Sequence, residues 1–529
     1  MAHNADLIKQ AMFEELQKIL NPDGETRRQA EERLAQLKFT EGYGIYLAEI
    51  TVNQTLDLAF RQLASVMLKQ YVEDCWAEIP DEGFDKTLIV NPEAKIAIKT
   101  ILPQGLYDPN SKIRSVVAYS ISNIASYDWP NDWQELFDII VKCLGGNENS
   151  VHGAMKVLVE FTLDLDKQIL DVGPMIISEV YRIFEAQSVY SVSTRSYAIK
   201  ILNSLLRSVN THVESKQDQT NIFNPTLPIF MQKMIEGLTV PNGSYSSFEL
   251  KTEILKALKL MISEMPKFAN QYLSAILPPI WQLLTQMADL YIKIVVNETE
   301  ESPFAHNAEG DENEDFISMI LQIFEFLHTI IEMKKYKGAI TNVLTDLIYI
   351  IILYMQITEE QAQSWSIDPE KYVEDEDEQG IDFSIRNTAH DVLLVIGQEY
   401  EHKLLSCFSE ALGKHITVAD ADRNAGHLHW WKVYEASMLA VGSFKELFMA
   451  NETTFDLYQY MNLVDSAMKY QVSPYLLGRC LWIFSRYCDC NVYNRHVLEK
   501  VIDTTISSTS LEKPVVLKVI ATRQSEIWI

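Results

Sequence analysis

Two places in the 529-residue chain gather side chains capable of chemistry. His427 and His429 bracket Leu428 and lead into Trp430-Trp431, while Cys480, Cys488 and Cys490 fall within one short stretch. Imidazoles and thiolates are the usual ligands of zinc, so both places are candidates for a metal. Neither has the spacing. The cysteines match no common zinc pattern, their neighbours Trp482, Ile483 and Phe484 read as core, and no Cys or carboxylate stands at ligand spacing from the two histidines. The histidines therefore read as the packed start of a helical hairpin. A Gly-rich loop ending in Gly-Lys-Ser/Thr, a Gly-x-Ser-x-Gly elbow and a His-Glu-x-x-His helix are all missing from the sequence. The expectation is a protein without catalytic residues, metal or cofactor.

The elements that would position any site are helices. Gly and Pro are scarce, 19 and 17 residues, and the 47% apolar content supplies a core. Apolar residues recur at three- and four-residue steps in Leu56, Phe60, Leu63, Met67 and Tyr71, in Ile113, Val116, Val117, Ile121 and Ile124, and in Leu250, Ile254, Leu258, Met261 and Met265. Short turn signals such as Asn21-Pro-Asp-Gly24, Tyr107-Asp-Pro-Asn110, Gly145-Gly-Asn147, Pro241-Asn-Gly243 and Ser473-Pro474 separate them. The longest apolar run, Leu347 to Met355, is too short to span a bilayer, so no membrane insertion is expected. Met1 to Asp6 lacks the order of a secretory signal, which predicts a cytosolic start and six reduced cysteines.

Helix openings also repeat. Arg114, His152 and Arg195 head similar helices at separations of 38 and 43, and Arg386, Lys432, Arg479 and Lys518 do so at 46, 47 and 39. Two-helix units at about 40 to 47 residues are the signature of HEAT or armadillo repeats. The predicted fold class is all-α: a right-handed α-solenoid of about ten to twelve hairpins, each burying its apolar face only against its neighbours.

Several segments are more specific than periodicity. Arg28-Gln-Ala-Glu31, Arg61-Gln-Leu-Ala-Ser-Val-Met-Leu-Lys-Gln70 followed by Trp76, and Ala118 to Ala125 leading into Tyr127-Asp-Trp-Pro-Asn-Asp-Trp133 resemble the N-terminal domain of the importin-β family. Ser150 to Met155, Ile351 to Glu360, Val373 to Asp377, His429 to Trp431 and Val472 to Arg479 continue the resemblance along the chain. The resemblance implies a nuclear transport receptor that shuttles between cytoplasm and nucleus, including the nuclear envelope. Its implied partners are basic cargo such as core histones and ribosomal proteins, the Phe-Gly repeats of the nuclear pore, and GTP-bound Ran. It implies a monomer with no direct nucleic-acid partner. It also places Ran on the N-terminal repeats, where Lys69 is the residue expected closest to the contact. Receptors of the family are longer, and the tail Arg523 to Ile529 does not resemble them. The last opening, Pro514 to Lys518, is therefore expected to be an incomplete, uncapped repeat of a fragment, an alternative product or a truncated gene model.

The charge is uneven. With 45 Lys+Arg against 73 Asp+Glu the formal net charge is −28, which disfavours phosphate backbones as partners and favours basic ones. Residues 298–315 hold eight carboxylates and no Lys or Arg, and residues 370–382 hold seven carboxylates and one lysine, so two short stretches carry half the excess. Both read as loops, the first as solvated chain and the second as a cargo-attracting insertion carrying Glu374, Asp375, Glu376, Asp377 and Glu378. The expected organisation is an N-terminal domain over 1–135, HEAT repeats over 136–297, 316–369 and 383–529, and the two acidic loops between them. The alternative reading is a HEAT scaffold of a cytosolic complex, such as a phosphatase or vesicle-coat subunit, with the acidic stretches merely solubilising.

Overall fold

The computed structural model describes residues 2–77, 89–164, 169–213, 215, 222–223, 226–304, 306–307, 310–376, 384–450, 455–488 and 495–525. Helices dominate. The only strands among these residues, His306–Asn307 and Gly310–Asp311, form one antiparallel pair. The chain divides into two compact units, Met1–Gln271 and Tyr272–Ile529.

In the first unit the hairpins follow one another as Ala2–Ile19 with Gly24–Leu37, Tyr43–Val52 with Leu58–Cys75, Pro92–Ile101 with Ser111–Asp128, Leu136–Leu144 with Glu148–Asp164, Ile169–Glu185 with Val192–His212, and Thr226–Thr239 with Phe248–Glu264. From Leu58–Cys75 onward each second helix packs against the next second helix, which makes a continuous layer, and the first helices lie against it. The second unit repeats the scheme. Its hairpins include Leu344–Tyr354 with Ile385–Glu399, Glu401–Ala425 with Trp430–Ser443, and Leu457–Ala467 with Pro474–Arg486. The Trp430–Ser443, Pro474–Arg486 and Val515–Ser525 helices pack in series. The helix that follows the opening at Pro514, Val515–Ser525, packs on Arg495–Ser508.

Most of the second helices begin at a side-chain cap; Trp430–Ser443, which follows His429, does not. Asp57, Asn110, Asn147, Ser191, Ser247, Ser384 and Ser473 each accept a hydrogen bond from a first-turn N–H, a contribution of about 1 kcal/mol per cap. Behind the caps the apolar stripes are buried. Ile113, Val117, Ile121 and Ile124 are at most 1% exposed. In Leu58–Cys75 the stripe is rotated from the expected one: Phe60, Ala64, Leu68 and Val72 are inside, while Leu63 and Met67 are half-buried. Arg61 is also buried on this helix. The Leu347 to Met355 run falls in the buried Leu344–Tyr354 helix, and no single helix among the described residues is long and apolar enough to cross a membrane.

The acidic stretches are more ordered than their charge suggests. The first is expected to be a loop, yet Glu312, Glu314 and Asp315 form the first turn of the Glu312–Glu332 helix, where carboxylates favour the positive end of the helix dipole. The second is likewise not a plain loop, because residues Pro369–Asp375 are helical.

Candidate interaction surfaces

Except for Lys518, the basic residues that mark the repeat openings are buried, and most of them reach a backbone carbonyl, whereas Arg479 pairs with carboxylates instead. Carbonyls in the last turn of a helix have no intrahelical donor. Arg61 donates from Nε and Nη2 to the Thr51 carbonyl at 3.0 and 2.9 Å, at the end of Tyr43–Val52, and pairs with Asp108. Arg114 donates to the carbonyls of Asp108 and Pro109 and to Nδ1 of His152. Arg195 donates to the Phe184 and Tyr245 carbonyls, and Arg386 donates to that of Met355. Lys432 reaches the Val296 carbonyl and Glu359, and Lys518 the Leu511 carbonyl. The basic beat is thus a row of side-chain caps. In four helices the N-cap and the cation stand four residues apart: Asp57 and Arg61, Asn110 and Arg114, Ser191 and Arg195, Ser247 and Lys251.

These positions are desolvated, which shifts their chemistry. Burial, then the charges of Arg114 and Lys156, push the His152 imidazole down to about 4. Burial pushes Lys251 down to about 8; its ammonium donates to Asn242 Oδ1 at 2.7 Å.

Lys69 lies on the second-helix layer of the first unit. Its ammonium is 4.0 Å from the centre of the Tyr119 ring and 3.9 Å from the Glu73 carboxylate, which accepts from the Tyr119 hydroxyl at 2.8 Å. The side chain remains 37% exposed. Lys–Tyr stacking recurs along the layer, with Lys156 and Lys200 over Tyr197 at 5.1 and 5.5 Å and Lys200 paired to Glu249 at 2.7 Å. Lys69 with Tyr119 and Lys156 with Tyr197 join neighbouring repeats, while Lys200 and Tyr197 stand three residues apart on one helix. Asp128, within the Tyr127 to Trp133 segment, accepts from Trp76 Nε1 at 2.9 Å and from Lys99 at 2.7 Å, so two of the segments read together in the sequence meet in space.

The five acidic residues singled out in the second stretch separate into three groups. Glu374 is exposed. Asp375 accepts from Trp365 Nε1 at 2.7 Å. Glu376 is inside, paired with Arg386 at 3.0 Å and with Arg479. Asp377 and Glu378 lie outside the described residues. The two arginines share a second carboxylate, Glu435, which accepts from Arg386 at 2.9 and 2.8 Å and from Arg479 at 2.7 Å. Burial would raise the Glu376 carboxyl, but the two guanidinium groups outweigh it and hold it well below the usual carboxylate range.

The chemistry-bearing residues named at the outset are dispersed. His427 meets Asp422 at 3.0 Å, and His429 lies 3.6 Å from Glu359, just ahead of the Trp430–Ser443 helix. Cys480 is buried beside Met438, and Cys490 lies outside the described residues. Among the described residues no three His, Cys, Asp or Glu side chains gather as a metal site would require.

Hairpins packed in series define an α-solenoid of the HEAT type. The chain belongs to the importin-β family: the profile of the Importin-beta N-terminal domain matches residues 30–108, and that of the Importin-9 central HEAT repeats matches residues 339–528. Among named relatives, Importin-9 of Drosophila melanogaster is 46% identical over 521 residues, covering 98% of this chain and 51% of that protein. The chain thus spans about half the length of the curated relatives it matches. Two solved structures share the fold. The exportin Cse1 in its cargo-free, cytoplasmic state has a TM-score of 0.62 at 13% identity, covering 98% of this chain and 56% of that one. Kap121p bound to RanGTP has a TM-score of 0.57 at 14% identity, covering 99% of this chain and 44% of that one.

Proposed function

We propose that the protein is a nuclear import receptor that takes basic protein cargo in the cytoplasm, passes the pore through Phe-Gly repeats and responds to GTP-bound Ran. The observation that carries this is the 46% identity to a named importin along nearly the whole chain. Ran enters the proposal because a structural neighbour is bound to RanGTP, and because the importin-β N-terminal profile covers Lys69 and Glu73. The protein moves between cytoplasm and nucleus, including the nuclear envelope, and acts as a monomer without a catalytic step of its own.

Cargo is basic, with core histone dimers and ribosomal proteins as its classes. Its attraction is electrostatic and falls with salt. In the second acidic stretch that role belongs to Glu374, Asp377 and Glu378, since Asp375 and Glu376 already hold Trp365 and two arginines. The test is binding of a purified histone H2A–H2B dimer across a salt series. Glu374→Gln with Asp377→Asn and Glu378→Gln is expected to weaken binding at low salt by about tenfold, on the scale of a few rim charges. Unchanged affinity and an unchanged salt slope would remove the acidic stretch from the cargo site.

A further inference from the structure

Between the Leu344–Tyr354 helix and its hairpin partner Ile385–Glu399 the chain makes an unusually long connection. Its first part forms two short helices, Glu359–Ile367 and Pro369–Asp375. Thr358 and Gln361 close a capping box at the first, and Asp368 caps the second. This segment does not return directly to its own hairpin. It runs across later repeats and packs against the Val515–Ser525 helix. Tyr475, two repeats on, donates its hydroxyl to the Ala362 carbonyl at 2.6 Å. The Trp365 ring, 1% exposed, lies 5.5 Å from Tyr475, which in turn lies 6.4 Å from Tyr372 and 6.2 Å from Trp431.

The segment is therefore seated in a groove whose aromatic floor is Trp431 and Tyr475 and whose end is cationic. At that end Glu376 fits between Arg386 and Arg479, which are 2% and 6% exposed. Without Glu376 two guanidinium groups would share the single carboxylate of Glu435. Even with it, the Nε of Arg386 has no partner. A buried guanidinium left without a counter-ion is strongly disfavoured, so the groove cannot simply empty. It can only exchange one anionic occupant for another. Basic cargo does not offer that exchange, because drawing Glu376 away would leave the arginines uncompensated.

We propose that residues 359–376 are a built-in occupant of a groove that also takes an acidic, aromatic-bearing peptide segment of a partner protein. The partner's carboxylate replaces Glu376 on Arg386 and Arg479, and its aromatic side chain replaces Trp365 on Tyr475. Binding then releases the strap. This inference is independent of the transport reading, since it needs only the groove and its present occupant.

The probe is a labelled synthetic peptide with the sequence of residues 359–378, added in trans to the full chain. A variant with a weakened strap, Trp365→Ala with Asp375→Asn, is expected to bind it at least tenfold more tightly than the unaltered protein. A peptide carrying Glu376→Gln and Trp365→Ala is expected not to bind. Equal binding of the two peptides, or equal binding by the two proteins, would overturn the proposal. Should the variant not fold, hydrogen exchange on the unaltered protein decides. Saturating peptide is expected to raise exchange across 359–376 while leaving Pro474–Arg486 protected, and unchanged exchange in the strap would overturn the proposal.

Discussion

Glu435 is the residue whose removal most sharply tests how the second unit is held together. Its carboxylate is 1% exposed and accepts three hydrogen bonds from two guanidinium groups, at 2.7, 2.8 and 2.9 Å. Glu435→Gln keeps the shape but removes the charge and turns an amide donor toward donors. Two buried cations are then left with Glu376 alone, itself 12% exposed. Breaking a buried ion pair from one side costs about 3–5 kcal/mol, mostly from the uncompensated charge that remains. A long repeat array does not unfold in one step, so a global midpoint is a poor readout. Native-state hydrogen exchange is better suited, because it reports opening helix by helix. The expected loss is on the order of 150- to 5000-fold in protection, confined to Ile385–Glu399, Trp430–Ser443 and Pro474–Arg486. Helices of the first unit keep their protection. The charge-balanced double variant Glu435→Leu with Arg479→Leu leaves Glu376 and Arg386 as a matched pair, so it loses less than Glu435→Gln. A single variant costing under about 1 kcal/mol, or a double variant costing more than the single, would refute the charge-balance reasoning.

Two further outcomes follow from the packing and the buried histidines. A Cβ at Gly153 would stand 2.6 Å from the Leu106 carbonyl oxygen, so Gly153→Ala is expected to destabilise the Glu148–Asp164 helix by about 1–3 kcal/mol in hydrogen exchange. Gly413 has open space around it within Glu401–Ala425, and Gly413→Ala is expected to stabilise that helix by about 0.5–1 kcal/mol. His152, His390 and His415 are each pushed down to about 4, chiefly by burial, so the unfolded chain binds protons between pH 6.5 and 4 that the folded chain does not. Stability is therefore fully present above pH 6.5 and is lost as pH falls toward 4. In native-state hydrogen exchange of the Glu148–Asp164 helix over that range, His152→Gln is expected to flatten the decline, and an unchanged slope would show that His152 is not among its causes.

Periodicity made the hairpins legible because each helix buries one face, and the Ser, Asp and Asn caps mark where the second helices begin. The beat of Arg114, Arg195, Arg386 and Arg479 was also legible, but its cause was not. The carbonyls that Arg195 and Arg386 reach, those of Phe184, Tyr245 and Met355, and the carboxylates that hold Arg479, are fixed by how helices end and pack. The second acidic stretch reads in the sequence as a loop, and the helix over Pro369–Asp375 was not legible because its neighbourhood is held by residues about a hundred positions away, Arg479 on Glu376 and Tyr475 on Ala362. Lys69 was placed by resemblance to a family, and nothing local announces that Tyr119 lies under its ammonium. In Leu58–Cys75 the buried face includes Arg61 and Ala64 in place of Leu63 and Met67, which a count of apolar residues alone does not foresee.

The account's central claim is that this chain is a transport receptor responsive to Ran, and binding of the purified full chain to Ran loaded with GTP or with GDP tests it most directly. The account predicts clear preference for the GTP form, with Lys69→Glu lowering that affinity by about tenfold, as expected for inverting one charge in an interface. Equal affinity for the two nucleotide states, or binding to neither, would contradict it.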